Sequence, residues 1–171
     1  MSATGGDLAG PWRIRPYRPG DLAGTVQLFS DTIHAVCAAD YTPAQLDAWA
    51  AATNDTSRWS ESLLENTTLV AEPLNPSAGS PQIIGLADLS PSGWVNRLYT
   101  HKDWQGHGIG SLLLAKLEEL ARAAGMTELR LESSLTARRF YENRSYKVYG
   151  FYDKEVRGQR FRNTLMAKTL N

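Results

Sequence analysis

The chain has 171 residues, with 18 basic and 18 acidic side chains and a single cysteine, Cys37. This length predicts one domain with its own apolar core. The balanced charge argues against a nucleic-acid-binding protein, which usually carries a basic excess. One cysteine excludes an internal disulfide and a metal site with several cysteine ligands, so no metal is expected.

No apolar run approaches the ~20 residues that a membrane span requires, so no membrane partner is expected. Residues 1–10 are small and polar and lack the basic-then-apolar order of a signal peptide. They predict a flexible tail on a cytoplasmic protein. We expect the single domain to extend over residues 1–171.

Hydrophobic periodicity and turn residues divide the chain into strands and helices. Asp21 is expected to cap the first helix, and Thr42, followed by Pro43, the second. The charged residues 153–162 are expected to form a mobile segment between two strands. This order of elements indicates a mixed α/β fold of three layers. In chain order the predicted elements are a strand at 12–15, helices after Asp21 and Thr42, a helix at 58–65, strands at 67–72, 82–89 and 94–100, a helix from 109 to Gly125, a strand at 128–133, a helix at 136–144, and strands at 147–152 and 163–168.

Three glycines, Gly106, Gly108 and Gly110, stand between the strand at 94–100 and the helix that follows it. A glycine turn at a helix N-terminus presents unpaired backbone N–H groups and the positive end of the helix dipole, which together can bind a phosphate or pyrophosphate. The dinucleotide-binding fingerprint does not fit, because it needs glycine where Ser111 stands, and the P-loop needs a lysine after Gly110. The alternative is a glycine-rich turn without a ligand.

Gln105, Gly108 and Gly110 form the pattern Q-x-x-G-x-G, which resembles the pyrophosphate loop of the GCN5-related N-acetyltransferases, the GNAT superfamily. Residues 98–114 are similar to the strand, loop and helix of that family, with Thr100 and Lys102 where valine and proline are usual. The resemblance implies acetyl-CoA as the acyl donor and a mostly antiparallel sheet flanked by helices. The implied donor-binding residues are Leu98, Tyr99, Thr100, Gln105, Gly106, His107, Gly108, Ile109, Gly110 and Ser111.

Residues 137–146 read A-R-R-F-Y-E-N-R-S-Y and resemble a second GNAT signature, A-x-x-x-Y-E-x-x-G-[FY]. Ser145 stands where the family usually has glycine, and a left-handed serine would cost about 1 kcal/mol. The resemblance implies that Tyr141 lies near the thioester sulfur and acts as the general acid for the departing CoA thiolate. The alternative role of Tyr141 is that of an aromatic side chain in the core.

Many members of this family use a carboxylate on the central strands as general base, but the central strand here offers Asn96, which cannot take up a proton. Asp88, Glu132 and His34 are the candidates, although such groups are more often structural or at the surface. His34 has the intrinsic pKa best suited to the task. His101 and His107, which flank the glycine loop, are expected to face solvent.

The aromatic residues Tyr41, Trp49 and Trp59 fall, with His34, where this fold builds its acceptor pocket, and packing in the core is their alternative role. Cys37 is not expected to carry the acetyl group, because a covalent route needs a thiol of depressed pKa beside a base.

The sequence therefore predicts an N-acetyltransferase that moves an acetyl group from acetyl-CoA directly to an amine of a small molecule or peptide. The protein would act as a monomer or homodimer. One alternative is a non-catalytic acyl-CoA-binding module of the same fold. Another is an interaction domain whose glycine loop binds nothing.

Overall fold

The computed structural model describes residues 10–171. The predicted tail lies outside the described residues except for Gly10. In the described chain one seven-stranded sheet has the order β1-β2-β3-β4-β5-β7-β6. The strands are β1 (Trp12–Pro16), β2 (Thr67–Pro73), β3 (Gly85–Leu89), β4 (Trp94–Thr100), β5 (Glu128–Ser133), β6 (Lys147–Val156) and β7 (Gln159–Thr169). The α-helices are α1 (Leu22–Val36), α2 (Pro43–Ala50), α3 (Thr56–Glu65), α4 (Ile109–Ala123) and α5 (Arg138–Glu142).

Helices cover both faces of this sheet, which confirms the predicted three-layer α/β fold. On one face α1, α2 and α3 bury Leu28, Leu46 and Leu63, respectively, in an apolar cluster. On the other face α4 buries Leu113 and Leu117, which recur at helical spacing, against strand residues. No helix in the described part of the chain is long and apolar enough to cross a bilayer.

The pairing of β4 with β5 is parallel and short, whereas every other neighbouring pair in the sheet is antiparallel. Only Trp94↔Arg130 and Val95↔Leu131 are in register between β4 and β5. Beyond Val95 the two strands part: β4 stays paired with β3, and β5 stays paired with β7. A gap therefore opens in the sheet between β4 and β5 beyond Val95.

The two predicted helix caps behave differently. Thr42 caps α2 as expected, because its Oγ1 accepts from Gln45 N at 3.2 Å and Gln45 Oε1 accepts from Thr42 N at 2.9 Å. Asp21 occupies the N-cap position of α1, but its side chain does not cap that helix. Its carboxylate instead binds both Nη atoms of Arg15, at 2.8 and 2.9 Å. The bidentate guanidinium pair takes the place of a capping bond.

The prediction that residues 153–162 form a mobile segment between two strands is wrong. Strands β6 and β7 form a continuous antiparallel hairpin that closes at Val156↔Gln159. Arg157 and Gly158 have φ of 47° and 79°, as a tight two-residue hairpin turn requires. The charged residues that suggested a loop stand opposite one another across the hairpin, such as Asp153 and Arg162.

Candidate active site

A cleft of about 520 Å³ opens where β4 and β5 part. The lining comes from β4, the glycine loop, α1, α2, α5 and the strands β5, β6 and β7. Side chains that matter for chemistry or binding in this lining are Cys37, Tyr41, Trp49, Leu98, Tyr99, Thr100, Gln105, Ser111, Glu132, Tyr141, Arg144, Lys154, Phe161 and Asn163. Ile109 and the backbone of Gly106, Gly108 and Gly110 complete the lining.

The free edge of β4 supplies backbone groups to this cleft. His101 N donates to Ile84 O on the β3 side at 2.9 Å. Because an antiparallel strand alternates its hydrogen-bonding direction, the amide of Tyr99 also points to β3 and that of Leu98 points away, towards the open edge. Farther along, Thr100 O accepts from Gln105 Nε2 at 2.6 Å, so the Gln105 side chain ties the loop back to the end of β4.

The glycine loop is held open by its backbone conformation. Gly106 and Gly108 have φ of 75° and 81°, a region that residues with a Cβ avoid. Leu112 N donates to Gly108 O at 3.0 Å, closing the first turn of α4. The preceding amides of α4, at residues 109–111, therefore have no helical acceptor. At Gly110 a Cβ would lie 3.4 Å from Thr100 Oγ1, already in van der Waals contact, so little room remains there for a larger side chain.

Arg144 brings a positive charge to this loop. Its guanidinium carbon lies 3.6 Å from the centre of the Phe140 ring, and its Nη1 donates to Phe140 O at 2.9 Å. Its Nη2 donates to Ser111 Oγ, in the first turn of α4. Burial lowers the pKa of Arg144, but a guanidinium keeps its charge at neutral pH. Sequence reasoning missed Arg144, because the second motif specifies the residues at the positions of Tyr141 and Ser145 but allows any residue at position 144.

Tyr141 reaches the cleft from α5 with only 6% of its surface exposed. Its ring meets Phe140 and Tyr146 edge-on, with centroids 5.3 and 5.6 Å apart. Burial raises the pKa of the Tyr141 phenol, so the group keeps its proton at neutral pH. Within residues 10–171 its hydroxyl has no hydrogen-bond partner. Ser145, where the family usually has glycine, is left-handed at φ 67°. The Tyr141 side chain therefore packs against other aromatic rings, and its hydroxyl proton is not used in a hydrogen bond within the described chain.

Glu132 faces the same cleft from β5. Its Oε1 accepts from Asn163 Nδ2 at 2.7 Å and lies 2.9 Å from Lys154 Nζ. Both contacts reach Oε1, which leaves Oε2 without a partner in the described part of the chain. The side chain is 27% exposed, so a ligand in the cleft can reach it. Lys154 is not expected here, because the sequence places it in a loop. Asn163 begins a predicted strand, but nothing in the sequence indicates that this strand lies beside β5.

Comparison with known proteins agrees with this geometry. Residues 37–170 match the family model of the acetyltransferase (GNAT) domain. The chain belongs to the GNAT family. It is 27% identical over 161 residues to the uncharacterized N-acetyltransferase YafP of Escherichia coli, across 90% of this chain and 93% of that protein. The resemblance inferred from the two motifs is confirmed.

Solved structures show the same fold. A GCN5-related N-acetyltransferase from Rhodopseudomonas palustris is 31% identical, with a TM-score of 0.86 over 97% of this chain and 100% of its own. The PaiA N-acetyltransferase of Thermoplasma acidophilum, solved with coenzyme A, shares the fold at a TM-score of 0.72 and 19% identity, over 92% and 98% of the two chains. The chain is an N-acetyltransferase of the GNAT type, a class of enzymes that depends on acetyl-CoA.

For this GNAT enzyme the three base candidates lie in different places. Only Glu132 lines the cleft. Asp88 is fully buried on β3, where it binds the Arg97 guanidinium and accepts from Asn66 Nδ2 at 2.8 Å. His34 lies in a separate shallow depression between α1 and α2, with Nε2 2.9 Å from Asp47 Oδ1.

The histidines beside the loop also differ from each other. His107 is exposed, as expected, and is absent from the cleft lining, unlike the other residues implied to bind the donor. The expectation that His101 faces solvent is wrong, since only 7% of its surface is exposed. Its Nδ1 accepts from Asp103 N at 3.2 Å and caps the short turn that precedes the loop. A capping role requires the ring to fold back onto the chain.

The aromatic residues divide between pocket and core. Tyr41 and Trp49 line the cleft, packed edge-on with ring centroids 5.4 Å apart. Trp59 does not line it, because its ring is buried beneath the Arg97 guanidinium, 4.4 Å away. Cys37 lies in the cleft wall, and burial raises the pKa of its thiol. A thiol of raised pKa is a poor nucleophile at neutral pH.

Proposed function

We propose that this enzyme transfers the acetyl group of acetyl-CoA directly to the amine of a small molecule or peptide. One observation carries the proposal: the glycine loop, Tyr141 and Glu132 all line a single cleft. The loop supplies a place for the pyrophosphate, Tyr141 a proton donor and Glu132 a proton acceptor. These are the groups that acetyl transfer to an ammonium requires.

The donor would bind along β4 and the N-terminus of α4. Unpaired amides at residues 109–111 and the helix dipole favour a pyrophosphate at the loop. The Arg144 guanidinium, fixed on Phe140 and Ser111, adds a positive charge beside it. The outward-facing amide of Leu98 supports binding of the pantetheine arm and polarisation of the thioester carbonyl.

Glu132 is our choice for the general base. An amine is protonated at neutral pH and attacks a thioester only after it loses a proton. Glu132 Oε2 has no partner within residues 10–171 and belongs to a carboxylate that a ligand can reach. Asn163 holds the other oxygen, so the carboxylate is oriented before the substrate arrives.

Tyr141 is our choice for the general acid. Burial keeps its phenol protonated, and no protein group competes for that proton in the described structure. A buried donor beside the departing thiolate stabilises the charge that develops on sulfur. Transfer is direct in this scheme, since the raised pKa of Cys37 disfavours an acetyl-thiol intermediate.

A screen of diverse amines with acetyl-CoA, read by release of free thiol, tests the proposal. Calorimetry with CoA measures donor binding separately. We expect micromolar or tighter CoA binding and amine-dependent thiol release that is lost in Glu132→Gln. CoA binding without turnover of any amine would indicate a binding module instead. Absence of CoA binding would leave an interaction domain as the remaining alternative.

A further inference from the structure

The cleft already contains a primary amine of the protein. Lys154 lies on β6 directly opposite Phe161 of β7. Cross-strand neighbours project from the same face of a sheet, and Lys154, Phe161 and Asn163 all line the cleft. Of the lysines in the described chain, Lys154 is the one that does so. Its position is set by the hairpin and not by a flexible loop.

The Lys154 amine makes the contact that a substrate ammonium would be expected to make. Its Nζ lies 2.9 Å from Oε1 of Glu132. The Lys154 side chain is 35% exposed, so it is neither fully buried nor fully exposed. Asn163 holds the carboxylate from the other side, across 2.7 Å. An ammonium, a carboxylate and the Tyr141 phenol therefore share one cleft.

We propose that Lys154 is itself an acetyl acceptor, so that the enzyme acetylates its own cleft when no amine substrate is present. This inference rests on the proposed function, because it uses the same donor and the same groups. The acetylated nitrogen is neutral and no longer forms an ion pair with Glu132. Modification therefore changes both the charge and the free volume at the acceptor end of the cleft.

The step balances without a further reactant. Glu132 takes one proton from the Nζ ammonium, and the lone pair of Nζ attacks the thioester carbonyl carbon. The new C–N bond forms and the C–S bond breaks. Tyr141 protonates the departing sulfur and regains a proton from the attacking nitrogen, and Glu132 releases the first proton to solvent. The products are Nε-acetyl-Lys154 and CoA with a free thiol, and nothing is oxidised or reduced.

The experiment is incubation of the purified protein with acetyl-CoA alone, followed by peptide mass spectrometry over time. Lys147, exposed at the start of the same strand, reports the background of non-enzymatic acetylation. We expect acetylation of Lys154 to exceed that of Lys147 by about 10²-fold, the lower range for a positioned proton acceptor. The rate should not depend on protein concentration, because the reaction is intramolecular.

Glu132→Gln is the matched variant, since the amide keeps the size of the side chain but takes up no proton. We expect it to lower the Lys154 rate to that of Lys147 while CoA binding and the melting temperature stay unchanged. Equal rates at Lys154 and Lys147 in the unmodified protein would overturn the inference. A Lys154 rate that rises with protein concentration, or that survives Glu132→Gln, would also overturn it.

Thiol release with the amine screen separates this inference from the proposed function. Turnover of a screened amine, together with a Lys154 that stays unmodified in acetyl-CoA alone, refutes self-acetylation and leaves the proposed function standing. Rapid acetylation of Lys154 with no turnover of any screened amine supports self-acetylation and refutes the screened amines as acceptors. Failure to bind CoA at all refutes both.

Discussion

Asn163 Nδ2 donates a hydrogen bond to Glu132 Oε1 across 2.7 Å, from β7 to β5. A carboxylate can only accept, so this contact fixes which end of the amide faces Glu132. The amide oxygen Oδ1 is then buried and has no partner among residues 10–171. Leaving such a group unpaired costs about 1–3 kcal/mol. The orientation of Glu132 is thus maintained at a cost in stability.

We predict that Asn163→Asp shifts the pH dependence of catalysis upwards. A second carboxylate beside Glu132 disfavours the charged form of the pair and raises the pKa of the base. The acidic limb of the kcat/KM profile should therefore move to higher pH. Steady-state kinetics between pH 5 and pH 9 measure this. An unmoved limb in a folded variant would show that Glu132 is not the group that titrates.

Tyr141→Phe should slow the chemical step by something like ~10²–10⁴-fold, the range for loss of a positioned general acid. Stability should change little, because the ring contacts remain and the hydroxyl loses no hydrogen bond that the described structure contains. Single-turnover kinetics and chemical denaturation report the two quantities. A loss of stability with full activity would instead identify Tyr141 as a packing residue.

Gly108→Ala should weaken CoA binding, because the left-handed backbone at φ 81° disfavours any Cβ and the loop would rearrange. Gly125→Ala is the control: it has φ 79° at the other end of α4, far from the loop. Each change should cost about 1 kcal/mol of stability. Calorimetry should show weaker CoA binding only for Gly108→Ala, and equal affinities would refute a role of the loop in binding.

A bulky residue at Gly110, such as leucine, should weaken CoA binding for a different reason. The backbone there is not left-handed, but a Cβ would already lie 3.4 Å from Thr100 Oγ1 and 3.5 Å from the Phe140 ring. A larger side chain must therefore project into the cleft. Titration with CoA measures the loss, and thermal melting verifies that the fold persists. Unaltered affinity would place the pyrophosphate elsewhere.

The His34–Asp47 contact predicts a small dependence of stability on pH. His34 forms hydrogen bonds with Asp47 and with Ser30 O, and both raise the pKa of His34 in the folded protein. The contribution is therefore present below the unfolded pKa of ~6.5 and is lost as pH rises through the folded pKa. Both side chains are largely exposed, so the effect should stay below about 1 kcal/mol. Denaturation of Asp47→Asn should show a larger deficit at pH 5.5 than at pH 8, and equal deficits would contradict the pairing.

The sequence predicted the elements whose signals are local. Strand β4 has the predicted bounds, because the turn at Pro91-Ser-Gly93 precedes it and the glycine loop follows it. The glycine loop was predicted for the same reason, since its pattern lies in consecutive residues. The outer half of the β6–β7 hairpin was missed because its sequence is rich in charged residues, which pair across the two strands as Asp153 with Arg162 and Glu155 with Arg160.

The cleft was harder to predict than its glycine loop. Lys154 and Asn163 reach Glu132 only because β7 lies between β5 and β6 in the sheet, an order that differs from the chain. No short pattern in the sequence encodes that neighbourhood. His34 shows the converse problem: its intrinsic pKa suits a base, yet the structure places it outside the cleft, beside Asp47.

The short parallel contact between β4 and β5 also has a consequence for amide hydrogen exchange. Tyr99 N–H bonds across to β3 and should exchange slowly with solvent deuterium, whereas the Leu98 amide on the open edge should exchange quickly in the free protein. A ligand that lies along this edge acts as a missing strand and would slow exchange at Leu98 without affecting Tyr99. Before binding, the amides of Leu98 and Tyr99 would then exchange at different rates, and after binding both would exchange slowly. This change at one residue would report where the donor lies.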